Sequence, residues 1–339
     1  MKLLRTEEAA GKILCHDITQ IIKGVTKDAV FRKGHIIKKE DIPLLLSLGK
    51  DHIYIWENDE TVIHENDAAE ILRDICMGAN IKATAPKEGK IELISEIDGM
   101  LKINKEKLKA INSLGEMMIA TRHSGFSVKK GEKLAGTRII PLIIKKDKMN
   151  EAKIEAGETP LLEVLPFKTK KIGVITTGNE IFHKRIEDQF TPVIASKFKD
   201  FNSEITEHII LDDKHEKITE AIDKMIEDGI DIVVCTGGMS VDPDDSTPLA
   251  IKNTGARVVT YGAPVLPGAM FMLAYTTNNR PIIGLPGCVM YAKRTIFDLV
   301  LPSLITDQEI SKAQLADFGH GGLCLNCEKC VFPNCSFGK

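Results

Sequence analysis

Lys171-Ile172-Gly173-Val174-Ile175-Thr176-Thr177-Gly178-Asn179-Glu180 reads as a short apolar strand that runs into a glycine turn and an acid. The plan then repeats. Residues 193–201 have the spacing of an amphipathic helix and 205–211 that of a strand. Residues 214–228 set Ile218, Ala221, Ile222, Met225 and Ile226 on one helix face, and Gly229 closes it. A continuous apolar run at 230–235 precedes a helix at 246–253, and 257–275 reads as strand and hairpin. Residues 281–285 form another strand, and 289–301 a long helix. Unbroken apolar strands alternating with helices imply an α/β domain of three layers, a mostly parallel sheet covered on both faces.

Outward from this core the pattern loosens. Residues 6–17 look like a helical start and a turn, 31–37 like a strand, 40–48 like a helix stopped by Gly49, and 52–55 like a strand. Helical spacing returns at 68–77 and 104–112, and Gly89, Gly125, Gly131 and Gly136 mark turns. Residues 145–159 are charged and poor in apolar side chains, which suggests a linker or an exposed strand edge. The division implied is a mixed α+β region at 1–166, the α/β domain at 167–306 and a cysteine-rich tail at 307–339.

With 339 residues, 43% hydrophobic and 27% charged, the composition is that of an ordinary globular protein. A net charge of −3 argues against a broad nucleic-acid-binding face, and 5% aromatics against stacking platforms for single strands. Met1-Lys2-Leu3-Leu4-Arg5-Thr6-Glu7 has no apolar signal region, and the apolar stretch Ile296–Ile305 is too short to span a bilayer. A cytoplasmic protein without a membrane or nucleic-acid partner is expected. Cys15, Cys76, Cys235 and Cys288 are scattered and read as free thiols, whereas Cys324, Cys327, Cys330 and Cys335 crowd the last sixteen residues.

In open α/β sheets ligands bind where the carboxyl ends of strands meet loops and helix N-termini. Three such loops stand out: Thr176-Thr177-Gly178-Asn179-Glu180, Thr236-Gly237-Gly238-Met239-Ser240, and Gly284-Leu285-Pro286-Gly287. Glycine lets backbone N–H groups approach an anion closely, so three glycine loops on one edge suit a phosphorylated ligand. A glycine after a strand is also an ordinary turn; the ordered set of three with acids is what favours a site. The acids are Glu180, Asp212, Asp213, Asp242, Asp244 and Asp245. One of the Asp212-Asp213 pair is expected to cap the next helix, and Asp245 could cap the helix that begins near Pro248. A spare carboxylate beside a phosphate would hold Mg2+.

These motifs, in this order, resemble the molybdopterin-binding domain shared by several cofactor-biosynthesis proteins, gephyrin and its bacterial counterparts among them. The matching residues are Gly173-Val174-Ile175-Thr176-Thr177-Gly178-Asn179-Glu180, Asp212-Asp213, Thr236-Gly237-Gly238-Met239-Ser240-Val241 with Asp245, and Gly284-Leu285-Pro286-Gly287. Within that superfamily the chain looks closest to molybdopterin molybdenumtransferase, whose opening is similar to Glu8-Ala9-Ala10-Gly11-Lys12-Ile13-Leu14-Cys15-His16-Asp17-Ile18. The resemblance implies insertion of molybdate into adenylylated molybdopterin as AMP leaves, with Mg2+ assisting, and a homodimer. It assigns Thr177, Gly178, Gly237, Gly238, Ser240, Pro286 and Gly287 to the pterin pocket, and Glu180, Asp213 and Asp245 to catalysis. Where these transferases have a Lys-Pro-Gly-Lys-Pro loop, this chain has Leu266-Pro267-Gly268-Ala269-Met270, without either lysine. A non-catalytic carrier or sensor of the cofactor, serving a molybdoenzyme or another biosynthesis protein, is therefore the alternative. An adenylyltransferase is disfavoured, because the second loop reads Gly-Gly-Met-Ser instead of the Gly-Gly-Thr-Gly expected there.

The tail spacing is Cys-x2-Cys-x2-Cys-x4-Cys. Successive x2 spacings are similar to ferredoxin-type iron–sulfur ligation, whereas structural zinc usually takes two Cys pairs with a longer loop between them. An iron–sulfur cluster is favoured over zinc, with Cys324, Cys327, Cys330 and Cys335 as the ligands.

Overall fold

The computed structural model describes residues 2–22, 26–55, 59–240 and 246–339. It divides into two compact units. The first comprises Met1–Glu96, Ile103–Arg122 and Gly131–Glu163; the second comprises Ile97–Lys102, His123–Lys130 and Val164–Lys339. Among the described residues no helix is long and apolar enough to cross a membrane.

The first unit is mixed α+β, as its irregular pattern predicts. Strands Lys2–Arg5 and His52–Ile55 pair antiparallel over a small core of Ala9, Leu14, Ile18, Phe31, Ile37, Leu45, Ile53 and Ile55. A four-stranded antiparallel sheet follows in the order Ile81–Ala83, Lys90–Ser95, Lys133–Ile139, Met117–Thr121. The stretch read as a linker is instead the helix Lys146–Ala156. Its buried face consists of Met149, Ala152 and Ala156, at helical spacing but mostly too small to stand out among the charges.

The second unit is built on strands β1 (Lys171–Thr177), β2 (Glu204–Leu211), β3 (Ile232–Thr236), β4 (Arg257–Tyr261), β5 (Met272–Tyr275) and β6 (Pro281–Leu285). Their order across the sheet is β2-β1-β3-β6-β5-β4. The first four are mutually parallel, and β5 runs antiparallel to both neighbours. Helices are α1 (Asn179–Phe182), α2 (Phe190–Lys199), α3 (His215–Glu227), α4 (Thr247–Asn253), α5 (Ile296–Ile305) and α6 (Lys312–Asp317).

Period-two alternation sorts the strand side chains onto two faces. Ile172, Val174, Ile232, Val234, Ile283 and Leu285 join Phe198 of α2 and Phe297 and Val300 of α5 in one core. Ile175, Val233, Cys235 and Ile282 join Ile218, Ile222 and Met225 of α3 and Ile251 of α4 in the other. The fold is thus three-layered α/β. Gly173 permits the close approach of α3, since a Cβ there would stand 2.6 Å from Met225 Sδ.

One predicted element divides. The helix expected over 289–301 is a short 3-10 turn, Gly287–Met290, and then α5, which starts at Ile296. Thr295 and Asp298 form a capping box that sets the later start. The cysteine tail belongs to this second unit and is pinned to it. Leu266 N–H donates to Gly322 O at 2.8 Å, Cys324 N–H donates to Leu266 O at 2.8 Å, and Phe337 is buried.

Candidate functional site

Parallel pairing puts the carboxyl ends of β1, β3 and β6 in one row, with Thr176 opposite Thr236 and Thr236 opposite Leu285. The three glycine loops therefore leave the same edge side by side. The second and third loops open onto a cavity of about 540 Å3. Gly237, Gly238, Met239 and Ser240 line one side and Pro286, Gly287, Cys288 and Tyr291 another. The remaining wall is Leu266-Pro267-Gly268-Ala269-Met270, with Phe190. Five of the seven expected pterin-pocket residues, Gly237, Gly238, Ser240, Pro286 and Gly287, thus meet at one cavity.

The first loop serves differently. Thr177 is buried and its hydroxyl lies 3.3 Å from that of Thr247. Gly237 has φ +83°, and a Cβ on it would meet Thr177 O at 2.1 Å, so the two loops touch through bare backbone. Thr247 Oγ1 also donates to Gly237 O at 2.9 Å and ties the start of α4 to both loops. Tyr261 OH, from β4, donates to Met239 O and Ser240 O at 3.3 Å each. Nothing in the local pattern singles out Thr247 or Tyr261; both act across long sequence separations.

The acids are spread along the edge. Thr177, Gly178, Glu180 and Asp213 are not among the residues lining the cavity. Asp213 Oδ2 accepts from the Asn179 N–H at 3.0 Å, which joins the first loop to the end of β2. Asp212 pairs with Lys217 at 3.0 Å, and that ammonium holds its carboxyl below the ordinary value. Neither aspartate caps α3, contrary to the expectation for the pair; the residue before that helix is Lys214, with no side-chain cap. Asp242, Asp244 and Asp245, and Val241 with them, lie outside the described residues. Helix dipoles contribute less than expected, because a single 3-10 turn follows the third loop in place of a long helix.

Asp188 belongs to none of the sequence motifs, yet it joins three elements. It accepts hydrogen bonds from the N–H of Phe190 at 2.8 Å, from the Thr191 hydroxyl and from Thr176 Oγ1 at 3.2 Å, and lies 3.3 Å from His208 Nε2. Burial pushes its carboxyl up, but these hydrogen bonds outweigh burial and hold it below the ordinary value. Its position at the start of α2, beside the end of β1, makes it a support for the first loop.

Among the described residues no three or more His, Cys, Asp or Glu are grouped to hold a metal ion. Glu180 and Asp213, the expected magnesium carboxylates that are described, therefore belong to no such group. Cys324, Cys327, Cys330 and Cys335 all line one small cavity of about 50 Å3, which shares no lining residue with that of the glycine loops. None of the four is in a disulfide. The Phe332 N–H, with Arg294 and Lys293 nearby, holds the Cys330 thiol below its ordinary value.

Comparison with known proteins adds sequence relatives. Residues 173–306 match the family described as a probable molybdopterin binding domain, and 3–57 match a domain of unknown function. The chain is 23% identical over 295 residues to a molybdopterin molybdenumtransferase of Staphylococcus epidermidis, covering 84% of this chain and 66% of that protein. It spans just under two thirds of that relative's length. A CinA-like protein of Mycobacterium tuberculosis is 30% identical over 77 residues, 23% of this chain and 18% of that one. Among solved structures, the molybdopterin biosynthesis enzyme MoaB of Thermus thermophilus covers 41% of this chain and 98% of its own, with 18% identity and a TM-score of 0.34. The tungsten cofactor synthesizing protein MoaB of Pyrococcus furiosus covers 40% and 89%, with 22% identity and a TM-score of 0.32.

Proposed function

We propose, from the match of residues 173–306 to the family described as a probable molybdopterin binding domain, that this chain binds molybdopterin at the glycine-loop cavity and acts in molybdenum cofactor biosynthesis. The finer reading is a molybdenumtransferase that inserts molybdate into adenylylated molybdopterin with release of AMP. The observation that carries the binding reading is the approach of Gly237-Gly238 to Thr177 beside Ser240 and Pro286-Gly287, all but Thr177 facing one cavity. Backbone N–H groups freed of side chains there suit a phosphate, and the apolar walls from Leu266, Met270 and Tyr291 suit the flat pterin.

In this reading Gly237, Gly238 and Ser240 cradle the pterin phosphate, while Pro286 and Gly287 shape the opposite wall. Thr177 and Gly178 support the cradle from behind. Glu180 and Asp213 lie outside the lining of this cavity and Asp213 holds the Asn179 N–H, so the described carboxylates do not fit a Mg2+ site at the phosphate and no step is assigned to that ion. The tail cysteines are a separate metal-binding element. A homodimer is part of the same reading, as is a molybdoenzyme or another biosynthesis protein that receives the product.

A second reading is favoured by one feature of the cavity. Its described lining contains neither Lys nor Arg, and Leu266-Pro267-Gly268-Ala269-Met270 occupies one wall. Without a cation to hold molybdate, the cavity suits a carrier that binds the finished or unfinished cofactor and performs no chemistry.

Anaerobic incubation of the purified chain with adenylylated molybdopterin, Mg2+ and molybdate separates the two. Molybdate-dependent AMP release supports the transferase; tight pterin binding without AMP release supports the carrier. Absence of pterin binding rejects both.

A further inference from the structure

The last sixteen residues make no helix and no strand, yet they are pinned in place. Lys293 Nζ donates to Cys327 O at 3.1 Å and Glu328 O at 2.7 Å. The Arg294 guanidinium lies 4.9 Å from the centre of the Phe332 ring. Cys324 and Cys335 pack on the larger core, and Cys327 and Cys330 face outward. A short irregular segment of this kind buries little apolar surface and ordinarily needs a covalent or metal staple. No disulfide supplies it.

Two observations bear on what could. All four cysteines are among the residues lining one cavity of about 50 Å3, several times the roughly 10–15 Å3 that a water-sized sphere requires. No three of them are grouped as a single ion would demand. Structural zinc usually takes two Cys pairs with a longer loop between them. Successive x2 spacings, as in Cys324-x2-Cys327-x2-Cys330, are those that hold an iron–sulfur cluster. Four thiolates around it bring excess negative charge, and Lys293 and Arg294 line the same cavity.

We propose that Cys324, Cys327, Cys330 and Cys335 hold one polynuclear iron–sulfur cluster in the cavity they share with Lys293 and Arg294. The cysteines line a different cavity from the glycine loops, and absence of a cluster would leave the proposal for pterin binding standing.

The test is anaerobic reconstitution of the full chain with ferrous iron and sulfide, beside a parallel sample given zinc alone. The expected result is about four irons and four sulfides per chain, with broad visible absorption bleached by dithionite. Cys327→Ser and Cys330→Ser, at exposed positions, should each lose the absorption while keeping the far-UV circular dichroism of the parent. His320→Ala should keep the full iron content; its loss would overturn the all-cysteine ligand set. Stoichiometric zinc that iron and sulfide do not displace would overturn the proposal, as would a chain that takes up neither metal.

Discussion

The Thr247 hydroxyl donates to the Gly237 carbonyl at 2.9 Å and lies 3.3 Å from the hydroxyl of Thr177, so one buried side chain holds two glycine loops together. Thr247→Val keeps the shape and leaves the Gly237 carbonyl without this donor. A loss of about 1–3 kcal/mol is expected from chemical denaturation. Molybdopterin affinity, followed by pterin fluorescence, should fall with it.

Two glycines of the same cavity should respond oppositely to alanine. At Gly237 the new Cβ would overlap Thr177 O at 2.1 Å with φ at +83°, and neither backbone can yield without parting the loops. At Gly287 nothing lies within 4 Å. Gly237→Ala should lower the melting temperature by several degrees, the shift expected for a loss of about 1–3 kcal/mol or more. Gly287→Ala should leave the melting temperature unchanged while weakening pterin binding.

His64 makes the first unit sensitive to mild acid. Its Nδ1 accepts from the Asn66 N–H at 3.1 Å at the start of the helix Glu65–Cys76, which leaves Nε2 to donate to Cys15 O at 2.9 Å. A proton on Nδ1 would break that cap. Burial, with Lys33 assisting, holds the folded pKa below 6.5. On acidification the unfolded chain therefore takes up the proton first. The stabilisation is full above about pH 6.5 and is lost as pH falls through the lower folded value. Denaturation midpoints should drop between pH 7.5 and 5.5, and His64→Asn, which retains a capping acceptor, should make that dependence shallower. Some slope should persist, because burial displaces His16 in the same direction.

Asp298 is a buried ionic hub. Its carboxylate accepts from Lys197 Nζ at 2.7 and 2.8 Å, from Arg294 at 2.7 Å and from the Thr295 N–H at 2.8 Å. Asp298→Ala strands two cations and uncaps α5, and a loss of about 3–5 kcal/mol is expected in denaturant titration. The double variant Asp298→Ala/Lys197→Met should recover part of it.

Much of the sheet was legible because its strands are buried on both faces and its helices on one. The apolar runs at 171–176 and 281–285 and the five-residue face of α3 carry that pattern without ambiguity. The helix Lys146–Ala156 was hidden because two alanines supply most of its buried face. The break before α5 was signalled by Thr295 and Asp298 at capping-box spacing, but the apolar residues on either side masked it. At the site, the glycine loops were readable from their chemistry and order. The roles of Thr247 and Tyr261 were not, because a hydroxyl's partner 10 to 22 residues away depends on how strands are laid side by side.

Leu266 stands in two places at once. Its residue lines the glycine-loop cavity, and its N–H and carbonyl pair with Gly322 and Cys324 at the root of the cysteine tail. Anything that repositions this residue is felt on both sides, and free-energy linkage makes that effect reciprocal. If tail loading tightens pterin binding by some factor, a bound pterin must tighten retention of the tail's metal by the same factor. Pterin occupancy would then report on the metal status of the chain, and metal release from the tail could be timed by departure of the ligand.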